Sequence, residues 1–439
     1  MAATAMDNAR GTPRVRADAS GGNAADSAAP AGGLGRLFAE RAAQTPGALA
    51  FVDQAGREGW CGRPRIAWSY GATQPMIERL AAFFSGLGLA REAAVAVCLP
   101  AGSETLITLL ALERAGLTPC LLPLAWPRDD LARAVEATGA VAVVTQSMVG
   151  ALKPAETFRD IAMAYYGLRF VTAFGPQPPD GVLDLDRVMV DERPILAGRG
   201  EGTASVQAPD AADPPAREPG IVTLARRGEE IEAAFRPASS WIAAACAFLE
   251  VAHYAPGERI LHLVAPDDLM GLATGFVPAL LTGAPLELHG LFDGPALAAS
   301  LARGEATRLV APGWMESALA SAALPASVTG LVLLHAAPTR FRARTAATCP
   351  VVDVLALEPW ALVSRARSRG GQVAIRLDAR AAGAADPLVR RDEDGGLRVC
   401  GPSTQARRVV RGQVEADAPE WRETPWCADV FAGIVIGVS

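Results

Sequence analysis

The stretch GIVTLARRGEEIEAAFRPASSW, residues 220–241, decides how this chain folds. Ile221–Leu224 is an apolar run suited to a buried strand, Ile231–Phe235 is a second, and "PASSW" opens a helix. Between the two runs stand Arg226, Arg227, Gly228, Glu229 and Glu230. Strand, turn and helix start is a place where α/β proteins seat a phosphate, because backbone N–H groups and the helix dipole favour an anion there. This turn offers one glycine, two arginines and two glutamates. Read from its residues alone, it is a solvated hairpin turn of mixed charge.

On both sides of this stretch, apolar strand-like runs alternate with helical ones. "AAVAVCLP" (93–100), "LTPCLLPL" (117–124) and "VAVVTQ" (141–146) are continuously apolar. They are separated by "SETLITLLALERAG" (103–116), with Ser103 as candidate N-cap, and "RDDLARAVEATGA" (128–140). "QPMIERLAAFFSGLG" (74–88) is an amphipathic helix ending on a glycine suited to the left-handed C-cap position. The style resumes with "SSWIAAACAFLEVAHY", "RILHLVAP", "APLELHG" and "TRLVAP". Continuous apolar strands divided by helices predict parallel sheets covered on both faces. After Ser364 the pattern changes to short alternating runs bounded by glycines, which predicts a β-rich end.

The expected layout is a first α/β subdomain over 34–196, a second over 220–364 and a β-rich distal part over 365–439. Residues 1–33 carry almost no large apolar side chain and are expected to be disordered; 197–219 is a Pro/Gly-rich linker.

The totals exclude several functions. A net charge of −6 argues against a nucleic-acid surface. The most membrane-like run, 269–286, is interrupted by glycines and prolines, so no membrane span is expected. The seven cysteines form no C-x-x-C pair and several sit in apolar runs, as in a reducing cytoplasm. The four histidines have no metal-ligand spacing, so no metal site is expected. Among 41 basic residues only Lys153 is a lysine, and it reads as a solvated residue at a helix start. Any chemistry that needs an ammonium group must use Lys153 or another chain.

The ordered series of segments resembles the adenylate-forming acyl-CoA synthetases and non-ribosomal peptide adenylation domains. "LFAERAAQTPGALAFVD", "WSYGATQPMIERLAAFFSGLGL", "GERILHLVAPDDLMGLATGFVPALLTGAPLEL" and "GLRVCGPST" carry it, over roughly 34–439. The resemblance implies two doubly wound α/β subdomains plus a small distal part, without the family's small C-terminal domain. It also implies a reaction of a carboxylate with ATP. That reaction uses a Gly/Ser/Thr-rich loop with a lysine, a carboxylate for Mg²⁺, and a second carboxylate for the ribose.

Set against those motifs, the chain has "TLARRGEEIE" where the family has Thr-Ser-Gly-Thr-Thr-Gly-x-Pro-Lys-Gly, so Arg226, Arg227 and Gly228 form a replaced phosphate loop. Ala337 and Pro338 match the family's Gly-Gly-Ala-Pro run, while His335 and Ala336 replace its glycines. The histidine is expected to be hydrogen-bonded to a backbone carbonyl. Of Tyr-Gly-x-Thr-Glu only Glu358 survives, the counterpart of the metal-facing carboxylate; its own residue context reads equally as a polar strand end. Ala336, Ala337, Pro338 and Glu358 would line a vestigial nucleotide pocket. Leu269 stands at the histidine of the acyl-pocket segment, and Trp426 at the ribose aspartate.

No catalytic residue is assigned. The resemblance implies a catalytically degenerate homologue acting as a binding, scaffolding or regulatory protein with a protein partner, expected to bind no cofactor. ATP and Mg²⁺ belong only to the alternative, an active ligase completed in trans. A module binding an acyl group or acyl-CoA is a further alternative.

Overall fold

The computed structural model describes residues 32–190, 217–341, 348–368, 375–378, 383–416 and 418–439. Residues 1–31 of the expected disordered tail (1–33) and 197–216 of the expected linker lie outside them.

Three sheets carry the described chain. A nine-stranded sheet is centred on the parallel strands Thr118–Leu121, Ala94–Val97, Ala142–Gln146 and Phe170–Phe174, in that spatial order. Alternate residues divide between two cores: Val95, Val97, Ala142 and Val144 enter one, Ala96 and Val143 the other. Successive side chains point to opposite faces, so both faces of this sheet are covered.

The hairpin of Gly220–Arg227 and Glu230–Pro237 extends the same sheet, with Val222 beside Cys120 and Ala233 opposite Val409 of the strand Arg407–Val410. An eight-stranded sheet contains the parallel strands Arg259–His262, Leu286–Leu288, Thr307–Pro312, Val328–Ala336 and Val351–Leu357. Leu49–Asp53 and Ala67–Ser69 complete its far edge. A five-stranded antiparallel sheet made mostly of residues beyond 388 forms the β-rich distal part.

The sheets are interleaved along the chain rather than divided near 197–219. Two strands from the first expected subdomain lie in the second sheet, and the hairpin 220–237 lies in the first. Composition breaks mark exposed chain; sheet membership follows from which strand edge is open to pair, a non-local matter.

Local chemistry explains the element ends. Ser69 caps the helix Tyr70–Gly86 by accepting the N–H of Ala72, and Gly88 (φ 64°) follows its end in the left-handed region. Ser103 is not an N-cap. It is the first helical residue, and its hydroxyl donates to Asp53 Oδ2 at 3.0 Å while accepting Trp68 Nε1 at 3.0 Å. It thereby joins a buried ionic chain. Arg57 pairs with Asp53 at 2.5 Å and Glu104 at 2.7 Å, and Arg63 pairs with Glu104 at 2.6 Å and with Asp186. That chain ties the second sheet to the helix Ser103–Arg114, which packs on the first.

Candidate functional site

The site is built where the hairpin tip meets the ends of strands from the other two sheets. The hairpin is paired without interruption from Gly220 opposite Pro237 to Arg227 opposite Glu230. Only Gly228 and Glu229 remain as the turn, with Gly228 at φ 59° in the left-handed region that a tight hairpin needs.

Both arginines of the tip are committed to carboxylates. Arg226 pairs with Asp130 on the helix Arg128–Thr138, and Arg227 pairs with Glu232 at 2.9 Å. Arg227 also lies 5.4 Å over the Trp426 ring, and its Nη2 is 3.5 Å from the Glu358 carbonyl oxygen. Arg408 reaches Glu232 from the neighbouring strand at 3.3 Å. Burial lowers the Arg227 guanidinium below its ordinary range, against the pull of Glu232.

Glu358 occupies the turn after Val351–Leu357, and Met270 N–H donates to its Oε1 at 3.2 Å. Its Oε2 is buried without a partner. Burial, and then the nearby Asp268 carboxylate, raise Glu358 well above the usual carboxylate range. Burial likewise pushes Asp268 up to about 6, and burial with Asp268 pushes Asp267 up to about 7. Asp268 is the N-cap of the turn Leu269–Gly271 and accepts the N–H of Gly271 at 2.7 Å.

A fully buried arginine underlies this turn. Arg236 donates to the carbonyls of Pro359 (3.0 Å), Trp360 (2.8 Å) and Ser403, and to Ser240 Oγ at 3.0 Å. Burial pulls its guanidinium down to about 10. It fastens the hairpin to the Glu358 turn and to the distal part.

Ala336, Ala337 and Pro338 lie beside Glu358's strand, where Ala337 N–H donates to Ala356 O at 3.1 Å. His335 does not bond a carbonyl. Its Nε2 meets Asp353 Oδ1 at 3.0 Å on the adjacent strand, because Asp353 is fully buried and needs cationic or N–H partners, which Arg367 also supplies at 2.6 Å.

The structure thus brings Arg227, Glu358 and Trp426 together and carries Arg226 away to Asp130. Leu269 fills the main core with 0% exposure, and Lys153 is exposed and paired with Glu156 at 3.1 Å. Arg236 and the Glu232–Arg408 pair were not foreseen from the residues. The one available signal was a charged side chain inside the apolar run "AAFRPASSW".

The tip is a ladder closed to a two-residue turn, with both guanidinium groups paired to carboxylates and Glu229 and Glu230 exposed beside them. Val354 and Leu355 are buried strand residues that present no ring to a base. Among the described residues no group of three His, Cys, Asp or Glu side chains is arranged to hold a metal ion.

Comparison with known proteins finds a likeness in the sequence of one segment and in the fold. Residues 38–189 match the family model described as AMP-binding enzyme. Glycine betaine reductase ATRR from Emericella nidulans is 32% identical over 121 residues, which are 27% of this chain and 9% of that protein. The chain therefore spans only a small part of this curated relative.

Apo MbtA of Mycobacterium smegmatis superposes with a TM-score of 0.70 at 17% identity, covering 93% of this chain and 75% of that one. The inhibitor-bound N-terminal domain of FACL13 from Mycobacterium tuberculosis gives 0.65 at 13% identity, covering 93% and 99%. O-succinylbenzoate coenzyme A synthetase (MenE) of Bacillus subtilis in complex with AMP gives 0.64 at 13%, covering 92% and 97%. At these identities the likeness is one of fold. Residues 38–189 thus match the AMP-binding enzyme family model, and the chain shares the fold of MbtA and of the FACL13 N-terminal domain.

Proposed function

We propose that this chain does not adenylate a carboxylate and serves as a binding, scaffolding or regulatory protein built on the ligase fold. One observation carries the reading: the hairpin that would hold a polyphosphate is zipped to its tip, with Arg226 and Arg227 bound to Asp130 and Glu232. Electrostatic groups aimed at the transition state supply much of an enzyme's rate, about 2.7–4 kcal/mol for a single donor. The intact cores speak for a fold that is still used, and a protein partner is the class that needs no nucleotide. Seven free cysteines, three of them buried, support a reducing cytoplasmic setting.

ATP–pyrophosphate exchange with a panel of carboxylates tests the reading, with and without a lysine-bearing C-terminal ligase domain added in trans. No exchange in either mixture supports it, and exchange by the chain alone overturns it. Exchange only in the mixture establishes the trans-completed ligase instead. An acyl or acyl-CoA ligand is a second reading, motivated by a MenE structure bound with OSB-NCoA. A ligand at 100 times its Kd adds about 2.7 kcal/mol of stability, so thermal shifts with acyl-CoAs against Mg-ATP separate it from the protein-partner reading.

A further inference from the structure

The nine-stranded sheet carries a cavity at the strand ends opposite the hairpin tip. The replaced phosphate loop sits at the tip of Gly220–Arg227. Eight residues at about 3.3 Å each put the base of that strand about 25 Å away. There, a cavity of about 370 Å³ opens where Ala94–Val97, Thr118–Leu121 and Gly220–Arg227 begin. Leu117 and Phe235 give it an apolar floor, and Arg91, Arg114 and Arg217 bring three guanidinium groups to its wall.

Three carboxylates also line the cavity, and all have donors. Glu218 accepts the N–H of Ser239 at 2.6 Å and its hydroxyl at 3.0 Å. Glu113 accepts the first amides of the helix Leu34–Gln44, from Leu34 at 3.1 Å and Gly35 at 2.9 Å. Glu92 accepts the backbone N–H of Arg217 at 2.9 Å, and lies 3.8 Å from that residue's guanidinium. The cations are less well matched. Arg91 makes no ion pair or side-chain hydrogen bond to any described residue, and Arg114 has only a half-exposed pair with Glu78 at 3.3 Å.

Arg217 lies flat over Phe235 at 4.2 Å and donates to Thr118 Oγ1 at 3.0 Å. Arg407 stands opposite Phe235 on the next strand, outside the cavity lining. Burial lowers the Arg217 guanidinium below its ordinary range, and Arg407 lowers it further against the pull of Glu92. Three lining arginines meet three lining carboxylates, each of which already accepts a backbone N–H, so Arg91 and Arg114 are the groups left short of partners. An oxyanion is the acceptor those two guanidinium groups lack, and the apolar floor suits a short hydrocarbon body.

We propose that this cavity at the amino ends of the parallel strands binds a small organic oxyanion, a carboxylate or a phosphate monoester, between Arg91, Arg114 and Arg217. The site is independent of the degenerate cleft, so it stands or falls apart from the reading above.

The test is calorimetric titration of the full chain with hexanoate and, separately, with inorganic phosphate and butyl phosphate, at constant ionic strength set with chloride. Arg91→Ala/Arg114→Ala removes two exposed rim side chains, and Arg340→Ala serves as a remote control. Saturable binding with a Kd below about 1 mM is expected, weakened at least about tenfold in the double variant and unchanged in the control. Hexanoate binding alone identifies a carboxylate ligand; butyl phosphate binding alone identifies a phosphate monoester. Equal affinity in wild type and double variant overturns the proposal, and so does the absence of saturable binding by all three probes.

Discussion

The guanidinium of Arg227 stands over the indole of Trp426 at 5.4 Å, joining the tip of a hairpin in the first sheet to a strand of the distal sheet. The contact packs side chains together at the position where the resemblance implies a nucleotide. A double-mutant cycle with Arg227→Ala and Trp426→Ala should return a coupling of about 0.5–1 kcal/mol in unfolding free energy. Zero coupling would mean that the two side chains merely lie near each other.

Arg236 holds three carbonyls that have no other described donor of comparable reach. Arg236→Met should destabilise the chain by about 3 kcal/mol or more, because buried acceptors are left unpaired. Arg236→Lys should recover little of that loss, since one ammonium cannot span the fork. Urea unfolding of the three proteins decides the matter, and a lysine variant as stable as wild type would refute it.

The buried chain Asp53–Arg57–Glu104–Arg63 gives a third expectation. Arg57 has 1% side-chain exposure and contacts two carboxylates. Arg57→Met strands both charges and should cost about 3–5 kcal/mol. A loss below about 1 kcal/mol, the range of exposed pairs, would show that the network is dispensable.

Two desolvated groups, the buried His262 and the half-buried Asp267, set opposite pH dependences. Burial holds His262 at about 4, so the folded chain keeps it neutral while the unfolded chain protonates it below about 6.5. Its contribution is present above that value and is lost as pH falls toward 4, on the order of 3 kcal/mol in all. His262→Gln should flatten the acid limb of a stability-against-pH curve.

Asp267 acts the other way. Its folded value, raised to about 7, lies above the unfolded one, so stability is lost as pH rises from about 4 through 7. Asp267→Asn should therefore melt higher than wild type at pH 8, with the difference gone at pH 4. An unchanged melting temperature at pH 8 would place the shift elsewhere.

The sequence made the parallel sheets legible because "AAVAVCLP" and "VAVVTQ" are apolar on both faces, and made the distal sheet legible through its alternation. It did not disclose that Leu49–Asp53 pairs with Leu286–Leu288, since parallel pairing carries no local mark. In the site, Glu358 and the Arg226–Gly228 turn were found by position, and the hairpin form of that turn was readable from its charges. The Arg236 clamp was hidden because its carbonyl partners lie 123, 124 and 167 residues away. The partner of His335 was misread for a related reason: a buried aspartate 18 residues on outcompeted the local carbonyl.

The unbroken pairing up to Arg227 and Glu230 also bears on how this site could change in time. No exchange of one amino acid for another turns a two-residue reversal into a mobile loop; extra residues have to be inserted. Doubling the length of such an insertion costs only about 0.6 kcal/mol in closure entropy, so a glycine-rich graft at Gly228 should leave the scaffold standing. Under the proposed function, a route to phosphate handling at this tip runs through insertion, and point substitution alone does not travel it.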